Sequence, residues 1–283
     1  MQVTKIAKNE YVKWLLNSRM IVLGCILILM YVMVLQPLKE RAAMMGEPLN
    51  LLEGYIGLCN SPVFLAFLPV LFLVLVSDFP KMDYNMVFLL HRCGRRNWIT
   101  GQLLFLFLAD ITVLAIVFAG MVIPLLDVGF WYNGWSNVIT EAAQRLPEGS
   151  SRFLTDLIPP NLYFQLTPFV VAVRSSFLMF AYFYLLGVIM MFGKFFGKRV
   201  IGLIVSALLV VLGAGASYFS VSVMWLLPAA HAIVSRHYTD FYREMHCSMQ
   251  ASYWYFLILI LLLCCGAYLK GRKLSFSKIT DIE

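Results

Sequence analysis

Charge is scarce in this chain, and that scarcity settles its class. Asp, Glu, Lys and Arg make up 13% of the 283 residues, against about 25% in an ordinary soluble domain. Apolar residues reach 61%, and mean hydropathy is +0.81. A soluble globular domain is excluded, and an all-α integral membrane protein is expected. No internal repeat is visible, which weighs against the paired halves common in secondary transporters. A nucleotide site is also missing. "GVIMMFGKFFGK" resembles a phosphate loop, but five residues separate Gly187 from Gly193, one more than the motif allows. Phe195 also stands where Ser or Thr should bind magnesium. A small-residue helix-packing site followed by a basic stop fits better.

Histidine is rare, with four in all. His231, His237, His246 and Cys247 share one segment, but at spacings unlike compact zinc-ligand pairs, so no metal is expected. No histidine falls at the depth of a hydrophobic run, and no paired intramembrane carboxylates occur, so hydrolytic catalysis is not expected. Of the six cysteines, Cys25, Cys264 and Cys265 fall within apolar runs and read as buried apolar residues. Cys59 and Cys247 fall on one side of the membrane, and a disulfide between them is one alternative.

Runs of about 20 apolar residues mark membrane spans. Six candidates emerge, near 20–37, 56–77, 101–125, 168–193, 200–219 and 252–269. Pro69 is expected to kink the second. With the N-terminus in the cytoplasm, 15 of the 22 basic residues fall in cytoplasmic segments. The outer loops then hold nine acids against six bases. This is the bias that retention of Lys and Arg produces. It places both termini in the cytoplasm and explains the net charge of +7 without nucleic acid. The whole chain, 1–283, reads as a single transmembrane domain.

Residues 1–19 have the composition of an interfacial amphipathic helix, with Ile6, Tyr11, Val12, Trp14, Leu15 and Leu16 as apolar area and Lys5, Lys8 and Lys13 for lipid phosphates. The outer loop 126–167 reads as two short helices, the second stopped by Pro159 and Pro160. The outer segment 220–251 is broken at Pro228 and too short to span, which suggests re-entrant helices. Within the spans, Asp110 lies near mid-membrane and Arg174 about 9 Å below the outer boundary, at ~1.5 Å per residue. Asp110 is expected to face the bundle or a cavity. Its role is open between a polar contact in a substrate path or subunit interface and simple satisfaction by a neighbouring helix.

The cytoplasmic segment 79–100 is overbuilt for a turn. In "DYNMVFLLHRCGRRNWITGQ", Met86, Phe88, Leu89 and Leu90 form an apolar ridge on a short helix, followed by His91 and Arg92. Gly94 supplies a break. Arg95, Arg96 and Trp98 are expected as membrane-side anchors. An exposed apolar ridge requires a cover, either the membrane surface or a partner protein.

Six spans, an N-terminal interfacial helix, a short cytoplasmic helix between spans two and three, and broken outer helices before span six together resemble the permease subunit of type-2 (ABC-2) ABC exporters. "SDFPKMDYNMVFLLHRCGRRNWITGQLLF" is similar to that family's entry into the third span, and "LLPAAHAIVSRHYTDF" to its re-entrant helices. The resemblance implies a permease dimer in a plasma membrane, bacterial in setting, that binds no cofactor itself. Each subunit would dock a separate cytoplasmic ATPase, which carries ATP and magnesium, through Met86, Phe88, Leu89, Leu90, His91 and Arg92. The family often has Glu before this helix; here Asp78 and Asp83 are the only candidates. The cargo is not implied: a peptide, a drug and a lipid-like molecule all fit. A secondary carrier or channel, or a non-transporting scaffold or sensor subunit, are the alternatives.

Overall fold

The computed structural model describes residues 2–81, 84–196, 200–242 and 244–272, with the backbone alone for 84–89. It is 76% helical. Helix α1 (Gln2–Leu15) is followed by a continuous apolar helix, Met20–Met45. This is built from α2 (Met20–Met30), a π-helical turn (Tyr31–Leu35) and α3 (Gln36–Met45).

The second expected span is two short helices, α4 (Glu53–Asn60) and α5 (Phe67–Leu75). Neither is long enough to cross a bilayer. The expected cause was wrong as well. Pro69 sits in the first turn of α5, where its missing N–H costs no helix bond. Pro62 lies in the break, just after α4 ends at Asn60, and disfavours helix in the residue before it. Every residue of α4 is buried, whereas the break that follows is mixed, with Ser61, Phe64 and Leu65 buried and Val63 exposed.

Helix α6 (Tyr84–Val122) is interrupted at Gly94, and a 3-10 turn (Ile123–Leu125) ends it. Next come α7 (Asn137–Thr140), α8 (Ala142–Arg145), α9 (Glu148–Leu157) and α10 (Pro160–Tyr163), so the outer loop holds four short helices where two were expected. Then follow α11 (Pro168–Lys194), α12 (Ile201–Tyr218), α13 (Pro228–Ala232) between two 3-10 turns, and α14 (Met249–Gly271). The sheet is a single parallel pair, β1 (Leu49–Asn50) beside β2 (Gly129–Phe130). Among the described residues, five helices are long and apolar enough to span a membrane, where six were expected.

Helix α11 is the axis of the bundle. It packs against α4, α5, α6, α12, α13 and α14, and 61% of its apolar window is buried, against 17% for α14. The Gly193–Gly202 contact lets α11 and α12 meet closely: a Cβ on Gly193 would stand 2.5 Å from the Gly202 Cα. The outward faces of α2, α12 and α14 carry Ile28, Leu208, Val211, Leu261 and Leu262, all exposed, as lipid-facing helices do. Cys25 and Cys265 are exposed on these faces, not buried as expected, and all six cysteines are free. These helices are apolar all round, so composition could not say which face turned inward.

Helix α1 packs along α6. Ile6, Ala7 and Trp14 are buried, and the Tyr11 hydroxyl lies 2.7 Å from Thr112 Oγ1. Val12, Leu15 and Leu16 remain exposed.

Candidate functional site: the basic end of the bundle

The starts of α1 and α6 and the ends of α11 and α14 meet at the end rich in Lys and Arg. The link between α5 and α6 is its centre. Apolar α5 stops at Leu75, and residues 75–80 are gripped from three directions. Trp14 Nε1 donates to the Leu75 carbonyl at 3.0 Å. Arg19 Nη2 pairs with Asp78 Oδ2 at 2.6 Å. Lys194 Nζ donates to the Asp78 carbonyl and, at 2.8 Å, to that of Pro80. Lys194 belongs to the basic stop expected after the small-residue packing site. It is 5% exposed and turned inward. A buried ammonium persists only when hydrogen-bonded, and two carbonyls supply that here.

Beyond the link, the backbone of 84–93 is helical, and Gly94 sits at φ 77, ψ 152, a conformation essentially confined to glycine. The short helix is thus turned off the long one. Among the described residues, none beyond its chain neighbours and its own helix's backbone comes within 4 Å of where a Gly94 Cβ would stand, so the glycine is needed for its backbone angles.

Of the expected docking residues, His91 and Arg92 are exposed and Leu90 is 5% exposed. Leu90 therefore belongs to the chain's own core. The side chains of Met86, Phe88 and Leu89, and all of Asp83, lie outside the described residues. Of the expected membrane anchors, Arg96 is exposed. Arg95 Nη1 donates to the Arg272 carbonyl at 2.8 Å, which ties α6 to the end of α14. Trp98 is 1% exposed and packs against Phe195, 6.1 Å between ring centres. It pins α6 to the end of α11, not to lipid headgroups.

Asp110 and Arg174 are not brought together. Asp110 is fully buried, and neither carboxyl oxygen has a hydrogen-bond partner among the described residues. Arg174 Nη1 donates to the Tyr238 hydroxyl at 2.6 Å, at the opposite end of the bundle.

That opposite end holds polar clusters that the sequence did not reveal. Asn60, the last residue of α4, donates to Ser175 Oγ at 2.8 Å and accepts from the Ser235 N–H at 3.2 Å. It thereby ties the break between α4 and α5 to α11 and to the 3-10 turn Val234–His237. Glu53 accepts from Ser136 N at 2.7 Å, Ser136 Oγ at 2.9 Å and Asn50 N at 3.0 Å. Burial pushes its carboxyl up to about 7, against the pull of those three donors. An acid at the mouth of an apolar run, three residues after Asn50, was the available signal. Comparison with protein-family models, curated proteins and solved structures found no match to this chain.

Proposed function

We propose that this chain is the permease subunit of an ATP-driven exporter of the type-2 ABC kind. It works as a pair of subunits in the plasma membrane, with the basic end facing the cytoplasm and a separate ATPase docked beneath. The observation that carries this reading is the short helix before Gly94, turned off α6 while its lead-in is gripped by Trp14, Arg19 and Lys194. A lever must be stiff at its root to pass on motion, and this root is tied to α1, α2 and α11 at once. The exposed apolar faces of α2, α12 and α14 suit lipid and a second subunit. ATP and magnesium belong to the partner. Few charges at membrane depth favour a peptide, drug or lipid-like cargo over an ion.

The test is co-purification with a cytoplasmic ABC ATPase from the same cell. Because Arg92 is exposed, Arg92→Glu should leave the melting temperature unchanged. Recovery of the ATPase should fall by about tenfold, the loss of about 1.4 kcal/mol of contact. Unchanged recovery would overturn the docking assignment.

Asp110 favours a second reading, a carrier in which its unpartnered carboxyl holds a proton or cation. The exporter reading expects ATP-dependent flux that survives Asp110→Asn, whereas the carrier reading expects flux without ATP that Asp110→Asn abolishes. A scaffold would keep the ATPase contact and show no flux at all.

A further inference from the structure

Far from the basic end, two imidazoles turn toward one hydroxyl. His231 Nδ1 lies 2.8 Å and His237 Nε2 2.7 Å from Ser252 Oγ. The other nitrogen of each ring is committed to a backbone carbonyl, His231 Nε2 to Trp225 at 2.8 Å and His237 Nδ1 to Ile233 at 2.8 Å. The group is closed from water, with Ser252 and His237 at 0% exposure and His231 at 5%.

A carbonyl oxygen only accepts, so each outer nitrogen must carry its ring's hydrogen. In a neutral ring the inner nitrogen is then a bare lone pair. Ser252 has one hydrogen, and two lone pairs face it. Four contacts run from Trp225 through His231, Ser252 and His237 to Ile233, and the neutral side chains carry three hydrogens for them. Changing the tautomer of either ring only moves the shortfall to a carbonyl. One added proton completes the chain: one ring, now doubly protonated, donates to Ser252 Oγ, and the hydroxyl donates to the other ring. A second added proton would leave the hydroxyl hydrogen facing two donors and place two cations side by side.

We propose that His231, Ser252 and His237 form a binding site for a single excess proton, shared between the two imidazoles across the Ser252 hydroxyl. The proton comes from solvent at this end, and no heavy-atom bond is made or broken.

The surroundings set where the site fills. Burial lowers the proton affinity of both rings, and His237 is brought to about 4 by burial first and then by its neighbours His231 and Arg174. From α11 the charged group is Arg174, held by the Tyr238 hydroxyl. From α14, Tyr255 stacks on His231 at 4.0 Å, and Tyr253 interacts with Arg174 and Tyr238. Trp225 packs edge-on against both rings. No carboxylate among the described residues acts on either ring. The site is therefore empty at neutral pH and fills on acidification. Filling ties α14 more firmly to α13 and the turn after it, which Ser235 joins to Asn60 at the break between α4 and α5.

Nitrogen-15 NMR of the full chain, labelled at histidine and held in lipid nanodiscs, tests this between pH 7.5 and 4. In the wild type, His231 and His237 should titrate together with one common midpoint below about 6.5 and a total uptake of one proton. Ser252→Ala removes both inner contacts and with them the shortfall, so its midpoint should fall by about one pH unit. Should that variant not fold, Ser252→Cys, a poor donor and acceptor, should show the same direction. Separate midpoints in the wild type, or a midpoint that both variants leave in place, would overturn the proposal.

Discussion

Replacing Lys194 with Met should lower the melting temperature by roughly 5–10 °C and uncouple the short helix from α11. Lys194 is 5% exposed and donates to the carbonyls of Asp78 and Pro80. Hydrogen bonds to a charged donor contribute about 1.5–3 kcal/mol each. Met fills similar volume and removes the cost of burying a charge, which returns part of that loss. A net penalty of about 2–4 kcal/mol remains, and in a chain this size each kcal/mol moves the transition by about 2–4 °C. Arginine would not rescue fully, because its planar fork cannot converge on two neighbouring carbonyls as a compact ammonium does. Thermal unfolding of the purified chain reads the first effect. For the proposed permease, transport per ATP in the complex with its ATPase reads the second and should fall while the ATPase still binds. A Lys194→Met protein with unchanged melting and coupling would show that the grip carries no load.

The second large effect concerns Glu53 and has a pH signature. Glu53→Ala strands the N–H groups of Ser136 and Asn50 and the Ser136 hydroxyl, all now bonded to the carboxyl. At about 1–3 kcal/mol per stranded buried group, the loss should be about 3–5 kcal/mol. It should appear as early proteolysis within 126–167, since Ser136 is where that loop is fastened. The pH dependence follows from the carboxyl's rise from an ordinary 4.5 to about 7 in the folded protein. Below pH ~4.5 both folded and unfolded forms are protonated, and the group's contribution is fully present. As pH rises to about 7 the unfolded form ionises first, and the contribution is lost. A difference of this size corresponds to about 3 kcal/mol. Wild-type protein should thus melt higher at pH 5 than at pH 8, and Glu53→Gln should flatten that difference. A wild type that gains stability over the same window, with Glu53→Gln unchanged, would contradict the assignment.

Much of the architecture was legible because bilayers impose long apolar runs. Pro168 opens α11 at the expected place, and Gly94 breaks the chain where its neighbours suggested. The second span was not legible, because hydropathy averages across a break: Asn60, Ser61 and Pro62 vanish between flanking Leu and Phe. The inward turn of Lys194 and Trp98 was not legible, for a shared reason. A cation or an indole at a helix end can serve lipid or protein equally well, and packing alone decides. Asn60, Ser235, Ser252 and the two histidines come from four elements, and no local spacing records their meeting. Glu53 was visible only as an acid beside an apolar run, and two of its three donors arrive from Ser136, 83 residues away.

The most direct measurement of the docking claim is a photocrosslink. A photoreactive residue in place of Arg92, in the proposed complex assembled in native membranes, should yield an adduct with the ATPase subunit, and one placed at Leu208, exposed on the apolar α12, should not. Adducts from position 92 with lipid alone, or equal yields from both positions, would contradict the reading of this end of the bundle as a motor's docking site.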